Sequence, residues 1–100
     1  MQFSERMRAG TRLVILKVLR GMPQYTGHEY RVAGVMESDQ GEPISRDQMR
    51  SELAWLEEQG LLLCQKTPQG LWVATLTARG DDVACGRAEV PGVARPRPEF

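Results

Sequence analysis

Ser45 to Leu62 is the stretch that most narrows what this chain can fold into, because its start, its buried side and its stop can all be read. Ser45 and Gln48 have the spacing of a capping box, in which the hydroxyl accepts from the Gln48 amide and the glutamine side chain returns to the Ser45 amide. Ile44 and Met49 flank that cap as a hydrophobic staple. Gly60 suits the left-handed position that closes a helix, letting Leu61 fold back on Leu56. A helix over Arg46 to Gln59 follows. At 100° per residue, Met49, Leu53 and Leu56 fall in one sector of roughly 60°, the seam of a helix seated on a core. Asp47, Arg50, Ser51, Ala54 and Glu58 face outward, with Gln48 and Trp55 on one flank.

The segments around this helix have their own punctuation. Ser4 can cap a first helix to about Arg20, ended by Gly21 and Pro23, with Val14, Ile15, Val18, Leu19 and Met22 as its core face. Leu13 and Leu16 fall outside that face. They are either covered by a second subunit or lie exposed beneath the Lys17 and Arg20 stems. Thr26 with Glu29 makes a second capping box, and Tyr25 with Tyr30 a staple, for a helix over Gly27 to Glu37 with Val32, Val35 and Met36 inward. Ser38 to Pro43 reads as a polar turn. Leu61–Lys66 and Leu71–Leu76 are runs of strand formers joined by Thr67-Pro68-Gln69-Gly70, a type I turn signal, and so predict a hairpin with Trp72, Ala74 and Leu76 sharing a face. Thr77 caps a last helix to about Arg87. Prolines at 91, 96 and 98 keep the remainder extended, as a tail either mobile or laid on a partner.

The order helix, helix, helix, hairpin, helix predicts an α+β winged helix-turn-helix at residues 1–89 and an extended Pro-rich C-terminal tail at 90–100, although the central helix alone also suits a surface helix of any small α+β domain. One hundred residues make a single core that buries about 60–65% of the unfolded surface. Apolar residues at 41% and charged residues at 26% exclude a disordered chain. No apolar run reaches the ~18–20 residues of a membrane span, and the first residues have no signal-peptide core, so the expectation is a cytoplasmic protein without a membrane role. Thirteen basic residues balance thirteen acidic ones, so any nucleic-acid affinity must come from how charge is distributed. Arg6, Arg8, Arg12, Lys17 and Arg20 outnumber Glu5 in the first helix, whereas Arg46 and Arg50 are outnumbered by Asp47, Glu52, Glu57 and Glu58 in the third.

Met49-x-x-x-Leu53-x-x-Leu56-Glu57-Glu58-x-Gly60-Leu61, with Leu76-Thr77-x-x-Gly80 after the hairpin, resembles the core of small bacterial winged-helix regulators of the ArsR, MarR and PadR kind. More narrowly, five segments resemble the ArsR-like proteins of Mu-like phages and prophages: Arg12–Leu16, Ser45–Gln48, Leu53–Leu61, Val73–Thr77 and Val90–Val93. The resemblance implies a third helix that enters the major groove of double-stranded DNA and a wing that lies on the backbone. By position it makes Ser45, Arg46, Gln48, Arg50 and Ser51 candidate groove contacts and Lys66 and Arg79 candidate phosphate contacts, in a homodimeric phage or prophage transcription regulator. Arg50 is the residue best suited to grip a guanine edge.

A second reading stays open, in which the winged helix is a protein-interaction module for a phage protein partner. Asp47 and Glu58 would meet a polyanion unpaired, and Trp55 has the character of an interface anchor unless its own wing or tail covers it. Leu13, Leu16 and Trp55 are the candidate protein-interface residues. Cys64, Cys85 and His28 lack a ligand spacing, so neither a metal nor another cofactor is expected, and no nucleophile or phosphate-cradling motif points to an enzyme.

Overall fold

The structure, a computed structural model, describes residues 2–97. Met1 and the tail residues Pro98, Glu99 and Phe100 lie outside the described residues. The elements in chain order are α1 (Phe3–Arg20), a 3-10 turn at Pro23–Tyr25, β1 (Thr26–His28), α2 (Glu29–Gln40), α3 (Arg46–Glu58), β2 (Leu62–Lys66), β3 (Trp72–Leu76) and α4 (Ala78–Cys85). This is an α+β winged helix.

The helix α3 starts and stops where its residues predict, with one half of the expected capping box made. The Ser45 hydroxyl accepts from the Gln48 amide at 3.1 Å. At the far end Gly60 turns left-handed at φ 75°, its amide donates to the Glu57 carbonyl at 2.9 Å and the Leu61 amide to the Leu56 carbonyl at 3.1 Å, the paired bonds of a Schellman ending. Met49, Leu53 and Leu56 are buried on the core, and Glu52 is buried beside them.

The hairpin turns at Thr67–Gly70, where the Gly70 amide donates to the Thr67 carbonyl and the Thr67 amide to the Leu71 carbonyl, both at 2.8 Å. It pairs Leu62 with Leu76 through Lys66 with Trp72. Thr77 caps α4 through the Gly80 amide at 3.0 Å, and its own hydroxyl donates to the Gly60 carbonyl at 2.8 Å, which ties the start of α4 to the end of α3. Gly80 is required there, since a Cβ at that position would fall 1.9 Å from the Leu61 carbonyl oxygen.

The chain departs from its local signals at the start of α1, where Gln2 precedes the helix and Ser4, expected as its cap, lies inside it, and in three further places. Thr26 does not cap α2. It lies in β1, which pairs with β3 from Thr26 opposite Thr75 to His28 opposite Val73 and makes a three-stranded sheet in the order β1-β3-β2. The cap is His28, whose Nδ1 accepts from the Arg31 amide at 3.1 Å, and Tyr25 and Tyr30 stay exposed rather than stapled. A three-residue strand has no periodicity to read, and only β3, more than forty positions away, creates it. The helix continues to Gln40, where Gly41 at φ 64° closes it.

The second departure is in α1. Leu16, expected on the outside as part of an interface, is fully buried in the chain's own core, and Leu13 packs against that core half-buried. The Arg12 side chain is buried too, because its Nε donates to Glu52 Oε1 at 2.9 Å and its charge is neutralised inside the fold. That pairing lets a sector marked by an arginine face inward, against the rule of thumb that charge means solvent. Packing of α1 against α2, α4 and β3 widens its buried face beyond a single stripe.

The tail is the third. Val90 and Val93 belong to the core cluster. The Val93 amide donates to the Val90 carbonyl, the Ala94 amide to the Ala9 carbonyl at 3.1 Å, and Arg12 Nη1 to the Gly92 carbonyl at 3.0 Å. The segment is not extended throughout, because residues 90–93 close a β-turn with Gly92 at φ 97°, and it is laid on α1 and the flank of α3 of its own chain.

Candidate nucleic-acid interface

The side of α3 opposite its core seam carries Asp47, Ser51 and Glu58 exposed and Ala54 half-buried. Turning toward the wing brings in Arg46 and Arg50, and turning toward α1 brings in Gln48 and Trp55. The sequence-derived contact residues therefore occupy three different surroundings.

Ser45 and Arg46 are exposed at the helix start, where unpaired backbone amides and the positive end of the helix dipole favour an anion. The closest carboxylate to Arg46 is Asp47, at a loose 3.8 Å with its own side chain 92% exposed. Ser51 is exposed one turn further on. Lys66 ends β2, with its ammonium 5.0 Å from the centre of the Trp72 ring.

Arg50, expected as the base reader, is held instead. Its Nε donates to Glu29 Oε1 at 2.8 Å, and its Nη2 donates both to Glu29 Oε2 at 2.9 Å and to the Gly70 carbonyl at 3.2 Å. The guanidinium stands 5.6 Å from the Trp72 ring. The edge that would grip a guanine is already spent on a carboxylate, so the residue braces the wing against α3. Glu29 also accepts from the Trp72 amide at 2.7 Å, so one buried carboxylate joins α2, α3 and β3. The hydrogen-bonded Arg50 guanidinium, with the Trp72 amide, holds the Glu29 carboxyl below its ordinary range, against the opposing effect of burial. A carboxyl lowered in the folded state contributes stability that is complete above the unfolded value near 4.5 and is lost as pH falls through the lower folded one. The stability difference between the wild type and Glu29→Gln should therefore shrink as pH drops below about 4.5, as read by urea unfolding at pH 7, 5, 4 and 3. A difference that stays constant across that range would remove the pairing from the stability of the wing.

Gln48 faces the other way, lining a cleft of about 360 Å³ with Met7, Arg8 and Thr11 of α1. Arg79 is exposed at the start of α4 beside Gly60, at the opposite end of α3 from Ser45. Neither joins the Arg46 and Lys66 side. Trp55, read as an interface anchor unless its own wing or tail covers it, is half-buried, with its own chain on one side: the Arg12 guanidinium lies 3.8 Å from the ring centre, and a Cβ on Gly92 would come within 2.7 Å of the ring. Gly92 adopts φ 97° and has no side chain, which permits that approach. Cys64 has its thiol pushed up to about 11 by burial and by Glu57, so it stays a protonated small hydrophobe. Among the described residues, no three His, Cys, Asp or Glu side chains gather as metal ligands, and no helix is long and apolar enough to cross a membrane.

Sequence reasoning missed Glu29, Glu52 and Arg12. A lone acidic residue at a helix start reads as a cap or dipole partner, and nothing local marks it as a buried brace.

No family model matches the sequence. It is 52% identical over 58 residues to the uncharacterized protein gp26 of Escherichia phage Mu, of which it spans 59%. It is 39% identical over 79 residues to an uncharacterized protein of Haemophilus influenzae, a match that covers 79% of this chain and 76% of the relative. Among solved structures, the complex structure of hsRosR-S1 superposes with a TM-score of 0.67 at 20% identity, over 81% of this chain and 70% of that one. RosR of H. salinarum grown from NaBr gives 0.64 at 20% identity, over 73% and 64%. These likenesses are of fold alone. At the level of sequence, the chain belongs to the family of the Haemophilus influenzae protein.

Proposed function

We propose that this protein binds double-stranded DNA as a winged-helix transcription regulator of a phage or prophage, acting as a binding protein and not as an enzyme. The observation that carries the reading is the uncovered helix α3 beside a braced wing, with Ser45, Arg46 and Ser51 on the helix and Lys66 on the wing free to meet a duplex. The similarity to gp26 of phage Mu supports the phage setting, and the fold shared with the hsRosR-S1 complex supports a regulator's architecture. Arg50 and Glu29 set the wing angle, and phosphate is met by Arg46 and Lys66.

A salt titration against random-sequence duplex tests this. With Arg46 and Lys66 as the phosphate contacts, log K against log salt should fall with a slope of about −2 per protomer. Glu29→Gln, which loosens Arg50, should steepen that slope by about one. Absence of duplex binding at low ionic strength would remove the proposal. It would favour the second reading, a protein-interaction module, which draws support from Asp47 and Glu58 at the centre of the outward face of α3.

A further inference from the structure

The first turns of α1 touch the rest of the fold at few points: Arg8 reaches Glu52 at 3.4 Å, and Met7 and Arg8 border the cleft that Gln48 lines. Every residue from Gln2 to Arg8 is nonetheless exposed, so this end of the helix projects from the body like an arm. Phe3 is 69% and Met7 61% exposed, far more than large apolar side chains usually are. Phe3, Met7, Gly10 and Val14 follow the alternating four-and-three spacing of a helix-pairing seam and fall within a sector of roughly 60°. Gly10 has open space around it, with nothing within 4 Å of where a Cβ would sit. Close approach of another helix is therefore unhindered at that point.

The same helix carries a matching hollow at its other end. A cleft of about 530 Å³ opens between α1 and α2, where Val18, Met22, Pro23 and Val35 form an apolar strip bordered by Arg31, Asp39 and Gln40 of α2, with Lys17 and Gly21 beside them. Phe3 lies seven residues before Gly10 and Lys17 seven after, about 10.5 Å on either side at the rise of an α-helix. A two-fold axis at Gly10 would thus bring the arm of one copy level with the hollow of the other. Met7 and Val18 deviate from the seam to the same side of α1, which a two-fold axis preserves, so the arm lands on the α2 side where the cleft is.

We propose that two copies of this chain pair through α1, antiparallel and crossing at Gly10, each laying Phe3 and Met7 in the α1–α2 cleft of the other. The occupant is a second copy because arm and hollow lie on one helix at equal distances from its open glycine, the self-complementarity that a two-fold interface requires. Two such arms bury roughly 1,000–1,200 Å² in total, the low end for specific association, so the pair should dissociate in the micromolar range. The surface replaces the Leu13 and Leu16 interface expected from sequence. The proposal does not depend on DNA binding, and it is tested without DNA.

Analytical ultracentrifugation of the full chain should show a monomer–dimer equilibrium, with a dimer at about 200 μM that dissociates on dilution. Phe3→Ala with Met7→Glu, on the arm, and Val35→Glu, in the hollow, should each weaken association by about tenfold or more. The arm variant should keep the unfolding midpoint of the monomer, since both side chains are exposed in it. With Cys64→Ser and Cys85→Ser as background, Phe3→Cys plus Lys17→Cys should oxidise to a covalent dimer linked between positions 3 and 17 of different copies. A monomer throughout the concentration range, a dimer indifferent to both the arm and the hollow variants, or cross-links joining position 3 to position 3 would overturn the arrangement.

Discussion

Replacing Glu52 by alanine is expected to destabilise the fold by about 3–5 kcal/mol, the cost of removing one partner from a buried ion pair. The Glu52 side chain is 1% exposed and the Arg12 side chain 9%. Glu52 Oε1 accepts from Arg12 Nε at 2.9 Å, and Oε2 accepts from Arg8 Nε at 3.4 Å. Without the carboxylate, the Arg12 guanidinium remains enclosed between the Trp55 ring and the Gly92 carbonyl with no counter-charge. With 9% of the Arg12 side chain exposed, full solvation requires the tail to lift away from α1. The loss should thus appear both as a lower urea midpoint and as faster amide exchange at Ala94, whose proton is donated to the Ala9 carbonyl. Arg12→Met combined with Glu52→Leu should recover much of the stability, because an apolar pair of similar volume avoids the desolvation of both charges. If Glu52→Ala unfolds at the wild-type midpoint, the pair is solvated and the tail is not held by it.

Leu56→Ala is expected to cost about 2–5 kcal/mol, as is usual for emptying a leucine site in a closed core. Leu56 is fully buried, lies in the cluster that also contains Leu53, Leu61 and Leu62, and supplies the carbonyl that receives the Leu61 amide at the helix end. Its side chain sits where α3 gives way to the wing, so a cavity there loosens both elements. Glu58→Ala, two residues on at an exposed site, should change stability by less than about 0.5 kcal/mol. Chemical unfolding of the two variants side by side checks this. Equal midpoints would mean that the inward and outward faces of α3 are reversed.

Both predictions bear on the interface. The braces that hold it consist of charge: Glu29 with Arg50 sets the wing against α3, and Glu52 with Arg12 sets α3 against α1 and the tail. Their cations are unavailable for phosphate in this arrangement. The outward surface is consequently lean in free positive charge, in keeping with a chain of zero net charge, and any DNA affinity rests on few contacts.

What the sequence determined by itself is what neighbouring residues decide among themselves. The Ser45 cap, the Met49, Leu53 and Leu56 seam, the Gly60 ending, the Thr67–Gly70 turn and the Thr77 cap each involve groups no more than about one or two helical turns apart, where backbone geometry alone brings the partners together. They suffice for the helix and hairpin order. Only the tertiary structure decided which charged residues are buried. Arg50 finds Glu29 from 21 positions away, Arg12 finds Glu52 from 40, and the same guanidinium reaches Gly92 from 80. A carboxylate or guanidinium is read as exposed because its desolvation is expensive, and only a partner brought close by the fold reverses that sign. For the same reason Leu16 moved from expected interface to the core and Trp55 to a half-buried place beside Arg12, β1 arose where a helix cap was expected, and the exposure of Phe3 and Met7 became visible only in the folded chain.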